Sequence, residues 1–306
     1  HGIKIIKKII MLNVVIYALG LKGLNLVKGA LKAIGRESVL HVVIGLDKSI
    51  QNDMSNELLF LCRENGIDSS YRGDIEVTEL DYSIVLAVGW RWLIHGVPTE
   101  KLIIFHDSLL PKYRGFAPLV NALLNKDPIV GVTALYGAMD YDCGNILGQI
   151  SMPVSYPTEI NHVIDDISIL YSDLAVEILQ GIEKGALDMK GYEQDASQAS
   201  YSLWRDDEDY RINWNESAKD IVHFISCLGF PYQGASSLIQ NEPIRILSAK
   251  CIPDVIIENR DVGKVIFIKD SFPVVVCGEG LIQIETAINA KGSSILPLNS
   301  FRVKFK

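Results

Sequence analysis

The sequence predicts an α/β chain: an open, mostly parallel sheet over the first two-thirds, followed by a smaller β-rich, OB-like domain. Three observations lead there. Short apolar runs alternate with segments of helical periodicity as far as Lys184, a polar and acidic stretch at residues 196–209 breaks that rhythm, and beyond Ile244 the apolar runs become short and closely punctuated. With 306 residues the chain is long enough for two ordinary domains.

The first apolar run, residues 12–18, reads as a buried strand, because it is continuous rather than alternating. Lys4, Lys7 and Lys8 precede apolar residues 9–19 in a way that imitates a secretory leader, yet no small-x-small cleavage signal follows. The run is also shorter than the roughly 20 apolar residues a membrane span requires. His1-Gly2 reads as an expression scar, and residues 1–10 as a tag or flexible extension. A helix follows, with Leu24, Val27, Leu31 and Ile34 on one face. Residues 39–46 form the next strand and 56–63 a helix ended by Gly66; 83–88 and 102–106 are further strands. After Pro118 comes a short helix, then strands at 130–136 and 146–154 and a long amphipathic helix at 160–184. Strand–helix alternation with short connections implies right-handed crossovers and parallel pairing.

The catalytic domain is therefore assigned to residues 11–205 and a linker helix plus small β-barrel to 206–306. Asn213, with Glu216 as its capping-box partner, is expected to open that helix, which carries Trp214, Ala218, Ile221, Val222, Ile225 and Leu228. Strands are expected at 245–249, 263–269, 273–277 and 281–285.

A net charge of −8 and a pI near 5.3 count against a nucleic-acid-coating surface, which needs clustered Lys and Arg. Five scattered cysteines, none spaced as CxxC, signal neither a zinc site nor a disulfide framework. They are expected to be buried structural thiols in a reducing cytoplasm, with no metal and no membrane partner.

Reactive groups of an open parallel sheet gather at the carboxyl ends of its strands. The strand at 102–106 ends in His106, followed by Asp107, Ser108, Leu109, Leu110, Pro111, Lys112, Tyr113, Arg114 and Gly115, with Pro118 opening the next helix. On physics alone this fits a site and fits a capped strand end with a structural histidine equally well.

The run His-x-Ser-Leu-Leu-Pro-x-Tyr-Arg-Gly-x-x-Pro resembles a signature of the folate-dependent formyltransferases. Gly131-Val132-Thr133 and Asp142-Cys143-Gly144 follow in the family's order, and Trp204-Arg205, Arg211–Trp214 and Pro231–Ala235 are similar to its domain junction. The resemblance implies a Rossmann-like core and transfer of formyl from 10-formyltetrahydrofolate to an amine. By resemblance His106 is the oxyanion donor and acid–base group, and Asp142 orients the imidazole or a catalytic water and favours the protonated form by its charge. The imidazole is the side chain whose ordinary titration lies nearest neutral pH.

The resemblance also assigns Trp90, Arg91, Trp92, Leu93, Ser108, Leu109, Ala138, Met139, Asp140 and Asp142 to the folate pocket. It assigns Lys112, Tyr113, Arg114 and Gly115 to the acceptor. For the paired tryptophans plain core packing is the more frequent reading, ahead of stacking on a ligand. Gly20-Leu21-Lys22-Gly23 is not a dinucleotide fingerprint.

One position departs from the pattern. The family carries Asn two residues before the histidine, and here Ile104 stands there. Losing one oxyanion donor costs about 100- to 1000-fold in turnover, so the alternative of a decayed folate- or sugar-nucleotide-binding module stays open.

The acidic balance disfavours the methionyl-tRNA branch, and the carboxyl-terminal β domain disfavours the purine-biosynthetic one. The expected acceptor is a nucleotide-linked deoxyamino sugar for a surface glycan, in the sub-branch near pseudaminic-acid-type and peptide-synthetase formylation domains. A homodimer is left open.

Overall fold

The computed structural model describes residues 12–306; the lysine cluster, the scar and Met11 lie outside them. The amino-terminal domain is built in the order β1 Val14–Ala18, α1 Gly20–Ile34, β2 Val39–Ile44, α2 Ser55–Asn65, β3 Asp68–Tyr71, β4 Ile84–Val88 and β5 Leu102–His106. It continues with β6 Arg114–Gly115, α3 Pro118–Leu124, β7 Ile129–Tyr136, β8 Ile146–Pro153, α4 Ile160–Glu183 and β9 Tyr201–Ser202. Seven of these strands form one sheet, β3-β2-β1-β4-β5-β7-β8. Pairing is parallel from β3 to β5, and β7 and β8 add antiparallel. The expected open, mostly parallel sheet is what forms. β3 carries no apolar run and escapes periodicity; its sequence is Asp-Ser-Ser-Tyr.

Helices α1 and α4 pack together on one face, because each presents an apolar stripe: Leu24 and Val27 on α1, Ile167, Tyr171, Leu174 and Ile178 on α4. On the opposite face no α-helix joins β4 to β5, only a 3-10 turn at Thr99–Lys101. Trp90 and Val97 of that connection pack with Leu102 over Val15, Val43 and Val85.

The carboxyl-terminal domain contains α5 Ala218–Cys227, β10 Ala235–Ile239, β11 Glu242–Ile252, β12 Val265–Lys269, β13 Phe272–Val276 and β14 Leu281–Asn289. Its five-stranded antiparallel sheet runs β10-β11-β14-β13-β12. The chain's last residues bridge its two edges, Phe305 to Ile239 and Lys304 to Lys264, which closes it into a barrel. The helix begins later than its periodicity suggests. Ser217, not Asn213, caps α5, its Oγ accepting the Asp220 N–H at 3.1 Å. Asn213 and Glu216 instead bond each other in the preceding turn, and Trp214 packs on Phe305 inside the barrel.

The two domains share one apolar core running from the sheet through Ile221 and Ile225 into the barrel. His223 Nε2 bonds the Leu123 carbonyl (2.8 Å), and the Gln51 N–H donates to Pro231 O (2.7 Å). Residues 200–202 do more: they strap the loop after β5. Tyr113 N donates to Ser200 Oγ (2.9 Å), Arg114 N to Ser200 O (2.8 Å) and Phe116 N to Ser202 O (3.0 Å). A truncation ending at Ala199 is therefore expected to lose cooperative folding, not merely the barrel. Size exclusion and a thermal melt decide it; a soluble monomer melting within a few degrees of the full chain contradicts the strap.

Of the cysteines, Cys62, Cys227 and Cys277 are buried as expected, and burial pushes their thiols up, to about 11, 12 and 12. Cys143 is only half-buried and Cys251 is exposed, contrary to expectation. Among the described residues no helix is long and apolar enough to cross a membrane, and no group of three or more His, Cys, Asp and Glu could hold a metal.

Candidate active site

β5 delivers His106 to the end of its strand, where the side chain is 8% exposed. Its Nε2 lies 2.8 Å from the Tyr113 carbonyl. A carbonyl only accepts, so Nε2 carries a proton. Nδ1 faces Asp142 Oδ1 at 3.5 Å, and Asp142 Oδ2 accepts the Gly115 N–H at 2.8 Å. The carboxylate is thus anchored by backbone on one oxygen and presents the other to the imidazole. Nδ1, the ring nitrogen without a backbone partner, is the atom placed to take up and release a proton.

The loop that returns from β5 to α3 is shaped for this purpose. Gly115 has φ +103°, and a Cβ there would come within 2.6 Å of Ser202 O. Thr133 of β7 accepts the Leu110 N–H (3.1 Å) and donates to Ser108 O (2.6 Å), while Gln149 of β8 donates to Leu110 O (3.0 Å). Gly131 lets Leu109 settle against the sheet; an added Cβ would sit 2.5 Å from Leu109 Cδ2. Gly131, Thr133 and Gln149 therefore hold the His106 loop in place.

Several expected ligand contacts turn out to be this scaffold. Ser108 is buried and donates to Lys112 O (2.6 Å), and Leu109 is half-buried with its Cδ2 against Gly131. Tyr113 is buried, its hydroxyl donating to Asp127 (3.0 Å); Lys112 pairs with the same carboxylate at 2.6 Å. Arg114 is 5% exposed and gives Nε and Nη2 to Gln194 Oε1 (3.0 and 2.7 Å). Of the segment 112–115 the site receives backbone: the Tyr113 carbonyl and the Gly115 amide. The Tyr113 and Arg114 side chains are thus engaged in the scaffold, whereas Lys112 keeps half of its side chain open to solvent.

Trp90 and Trp92 resolve toward packing. Their rings meet edge to face at 5.0 Å, Trp90 abuts Tyr17 at 4.8 Å, and Arg72 stacks on Trp92 at 4.5 Å. Arg91 turns to Asp47 (2.6 Å) and Ser49 (2.9 Å). Leu102 packs with Trp90 and Val97, and its carbonyl accepts the Gly137 N–H at 2.9 Å, where the loop 137–145 begins. Ala138, Met139 and Asp140 are exposed on that loop, as is Leu93 in the β4–β5 connection. Phe116 and Tyr141, with ring centroids 5.7 Å apart, are also exposed beside Gly115 and Asp142. Large apolar side chains left open beside a buried His–Asp pair suit a planar, partly apolar ligand. Ile104 packs against Leu110, Leu135 and Ile146, so the family's Asn position holds an apolar filler here.

Two groups of residues escaped the sequence reading. Asp107 turns to the α1–α4 side, where Lys22 forms an ion pair with it and the Tyr171 hydroxyl donates to its other oxygen. Burial alone would lower the Lys22 ammonium, but the charge and hydrogen bond of Asp107 outweigh it and raise the group above its ordinary value. Burial, then the Asp107 charge, holds the Tyr171 phenol well above its usual range. The second is Gln194, which bonds the Arg114 guanidinium and the Asp142 carbonyl.

Comparison with known proteins bears on family and fold. A family model described as "Formyl transferase" matches residues 76–170, and "Formyl transferase, C-terminal domain" matches 205–305, more than half of the chain between them. The methionyl-tRNA formyltransferase of Streptococcus equi subsp. equi is 29% identical over 196 residues, 64% of this chain; the match spans about 60% of that relative's length. The same enzyme of Thermodesulfovibrio yellowstonii is 28% identical over 245 residues, covering 79% of this chain and 76% of the relative.

Among solved structures, WlaRD, a sugar 3N-formyl transferase studied with dTDP and 5-N-formyl-THF, superposes with a TM-score of 0.64 at 20% identity, covering 90% of this chain and 97% of its own. HypX from Aquifex aeolicus with tetrahydrofolic acid gives 0.63 at 16%, covering 94% of this chain and 46% of its own. These likenesses show the fold. With both domain models matched in order, and the His106 and Asp142 loops assembled on one sheet, the chain belongs to the formyl transferase family.

Proposed function

We propose that this chain transfers a formyl group from 10-formyltetrahydrofolate to the amine of a small molecule, a deoxyamino sugar carried on a nucleotide. The observation that carries the reading is the buried His106–Asp142 pair at 3.5 Å, set beside the exposed rings of Phe116 and Tyr141. The folate, when bound, supplies the activated formyl carbon. Leu93 and Met139 would give it apolar contact, and the backbone of residues 90–93 and 138–142 its polar edges. His106 Nδ1 would take the proton that an attacking amine sheds and pass it to the tetrahydrofolate nitrogen as the bond from that nitrogen to the formyl carbon breaks, and the Asp142 charge stabilises the imidazolium held in between. Nε2–H stays on the Tyr113 carbonyl, which keeps the ring from turning.

The charge pattern favours a small acceptor over a tRNA. Residues 206–306 hold eleven Lys and Arg against thirteen Asp and Glu. Arg245, Lys250, Arg260, Lys264 and Lys304 are moreover paired with carboxylates. Phosphate binding draws on free, clustered cations. The second reading, formylation of methionyl-tRNA, is favoured by the streptococcal and Thermodesulfovibrio relatives.

Mass-detected transfer from 10-formyltetrahydrofolate to nucleotide-linked amino sugars, free amino sugars and methionyl-tRNA separates them. A formylated nucleotide sugar is the expected product. Formylation of methionyl-tRNA alone establishes the second reading. Folate binding without transfer to any acceptor makes the chain a binding module and ends the proposal.

A further inference from the structure

Four contacts join the two halves of the candidate site through one side chain that neither family match covers. Gln194 lies between the matched segments 76–170 and 205–305. Its Oε1 accepts Nε and Nη2 of Arg114 at 3.0 and 2.7 Å, and its Nε2 donates to the carbonyls of Asp142 and Gly144, both at 2.8 Å. A closed ring results. His106 Nε2 bonds the Tyr113 carbonyl, Tyr113 is covalently joined to Arg114, Arg114 binds Gln194, Gln194 binds Asp142, and Asp142 returns to His106 Nδ1.

We infer that Gln194 is a positioning residue for the proposed reaction, holding the Asp142 turn against the buried Arg114 so that the carboxylate meets His106. The inference rests on the formyl-transfer reading of the site, and three features of the ring support it. Asp142 adopts φ +58°, a left-handed conformation that costs a non-glycine residue about 1–3 kcal/mol and persists only where neighbours enforce it. Gly144 is wedged against Tyr136, where a Cβ would stand 1.9 Å from the carbonyl oxygen, so the turn has no room to relax inward. Arg114, 5% exposed, has Gln194 as its bidentate acceptor. The amide of glutamine suits both tasks because it carries an acceptor and two donors at one end. Misplacing a catalytic group by about 1 Å can cost on the order of 100-fold in turnover.

The two tasks come apart in Gln194→Glu. A glutamate keeps an acceptor for Arg114, now charge-assisted, but has no N–H for the Asp142 and Gly144 carbonyls and repels them. Gln194→Ala removes both. If Gln194 acts through the Asp142 turn, both variants lose about 10- to 100-fold in kcat, with KM for folate and acceptor within about threefold of the parent, while Gln194→Glu melts near the parent.

Turnover by Gln194→Glu within about threefold of the parent means the residue merely satisfies Arg114, and overturns the inference. Hydrogen exchange of the 138–145 amides gives a readout free of activity. Faster exchange in Gln194→Glu than in the parent supports the inference even if the parent formylates none of the acceptors, a result that would sink the formyl-transfer reading alone. Unchanged exchange overturns the inference whatever the parent does.

Discussion

Replacing His106 with alanine is expected to lower formyl transfer by about a thousandfold, the middle to upper range for removing a group that moves a proton in the transition state. The imidazole is tied at both nitrogens, to the Tyr113 carbonyl and to Asp142. Its loss therefore has a second consequence, an unpaired buried carbonyl costing about 1–3 kcal/mol, so the variant should melt several degrees lower yet remain folded. Asp142→Asn isolates the charge. Its side-chain oxygen can still accept the Gly115 N–H, and the turn should keep its shape. Turnover is then expected to fall far more than KM rises, as for a group acting mainly in the transition state. Single-turnover assays beside melting curves read both variants. His106→Ala activity within a few-fold of the parent would remove the histidine from the chemistry.

Lys22→Met is expected to produce the largest loss of stability, about 3–5 kcal/mol, because it strips one partner from a buried ion pair and leaves Asp107 with Tyr171 alone. Both side chains are mostly buried, at 13% and 15% exposure, so solvent screening discounts this little. The pH dependence has a definite sign. Lys22 is raised in the folded state above its ordinary value of 10.5. The stability it contributes is therefore complete below that value and is lost as pH climbs through the raised one. Urea unfolding of parent and variant should differ by a constant amount from pH 7 to 9, with the gap narrowing only in strongly alkaline buffer. A gap already narrowing between pH 7 and 9 would contradict a charged, Asp107-paired lysine. Because Asp107 follows His106 directly, the variant should also lose turnover.

Parts of this site were legible because they are local. The buried runs of β1, β4 and β5 cannot form anything but central strands, since each residue must hide apolar atoms on both faces. The order His106, Ser108, Pro111, Arg114, Gly115 and the turn at Asp142–Gly144 stand in the sequence as a pattern. What that pattern does not show is where the side chains turn. Lys112, Tyr113 and Arg114 lie beside the site, but the chain presents their backbone to His106 and Asp142 and turns their side chains to Asp127 and Gln194. Similarly, Asn213 and Glu216 satisfy the local rule for a capping box yet lose to Ser217, because Trp214 is drawn into the barrel against Phe305.

The sequence by itself determined the sheet, the following barrel and the loop that carries His106, because apolar periodicity and short-range turn chemistry are written in adjacent residues. Only the tertiary structure decided what grips that loop. Lys22 reaches Asp107 across 85 residues, Gln194 reaches Arg114 across 80, and Ser200 reaches Tyr113 across 87. A single buried hydrogen bond or ion pair leaves no periodic trace in a chain, and its partner is chosen by where packing places two surfaces. Contacts of that kind become visible only once the apolar core has brought the segments together.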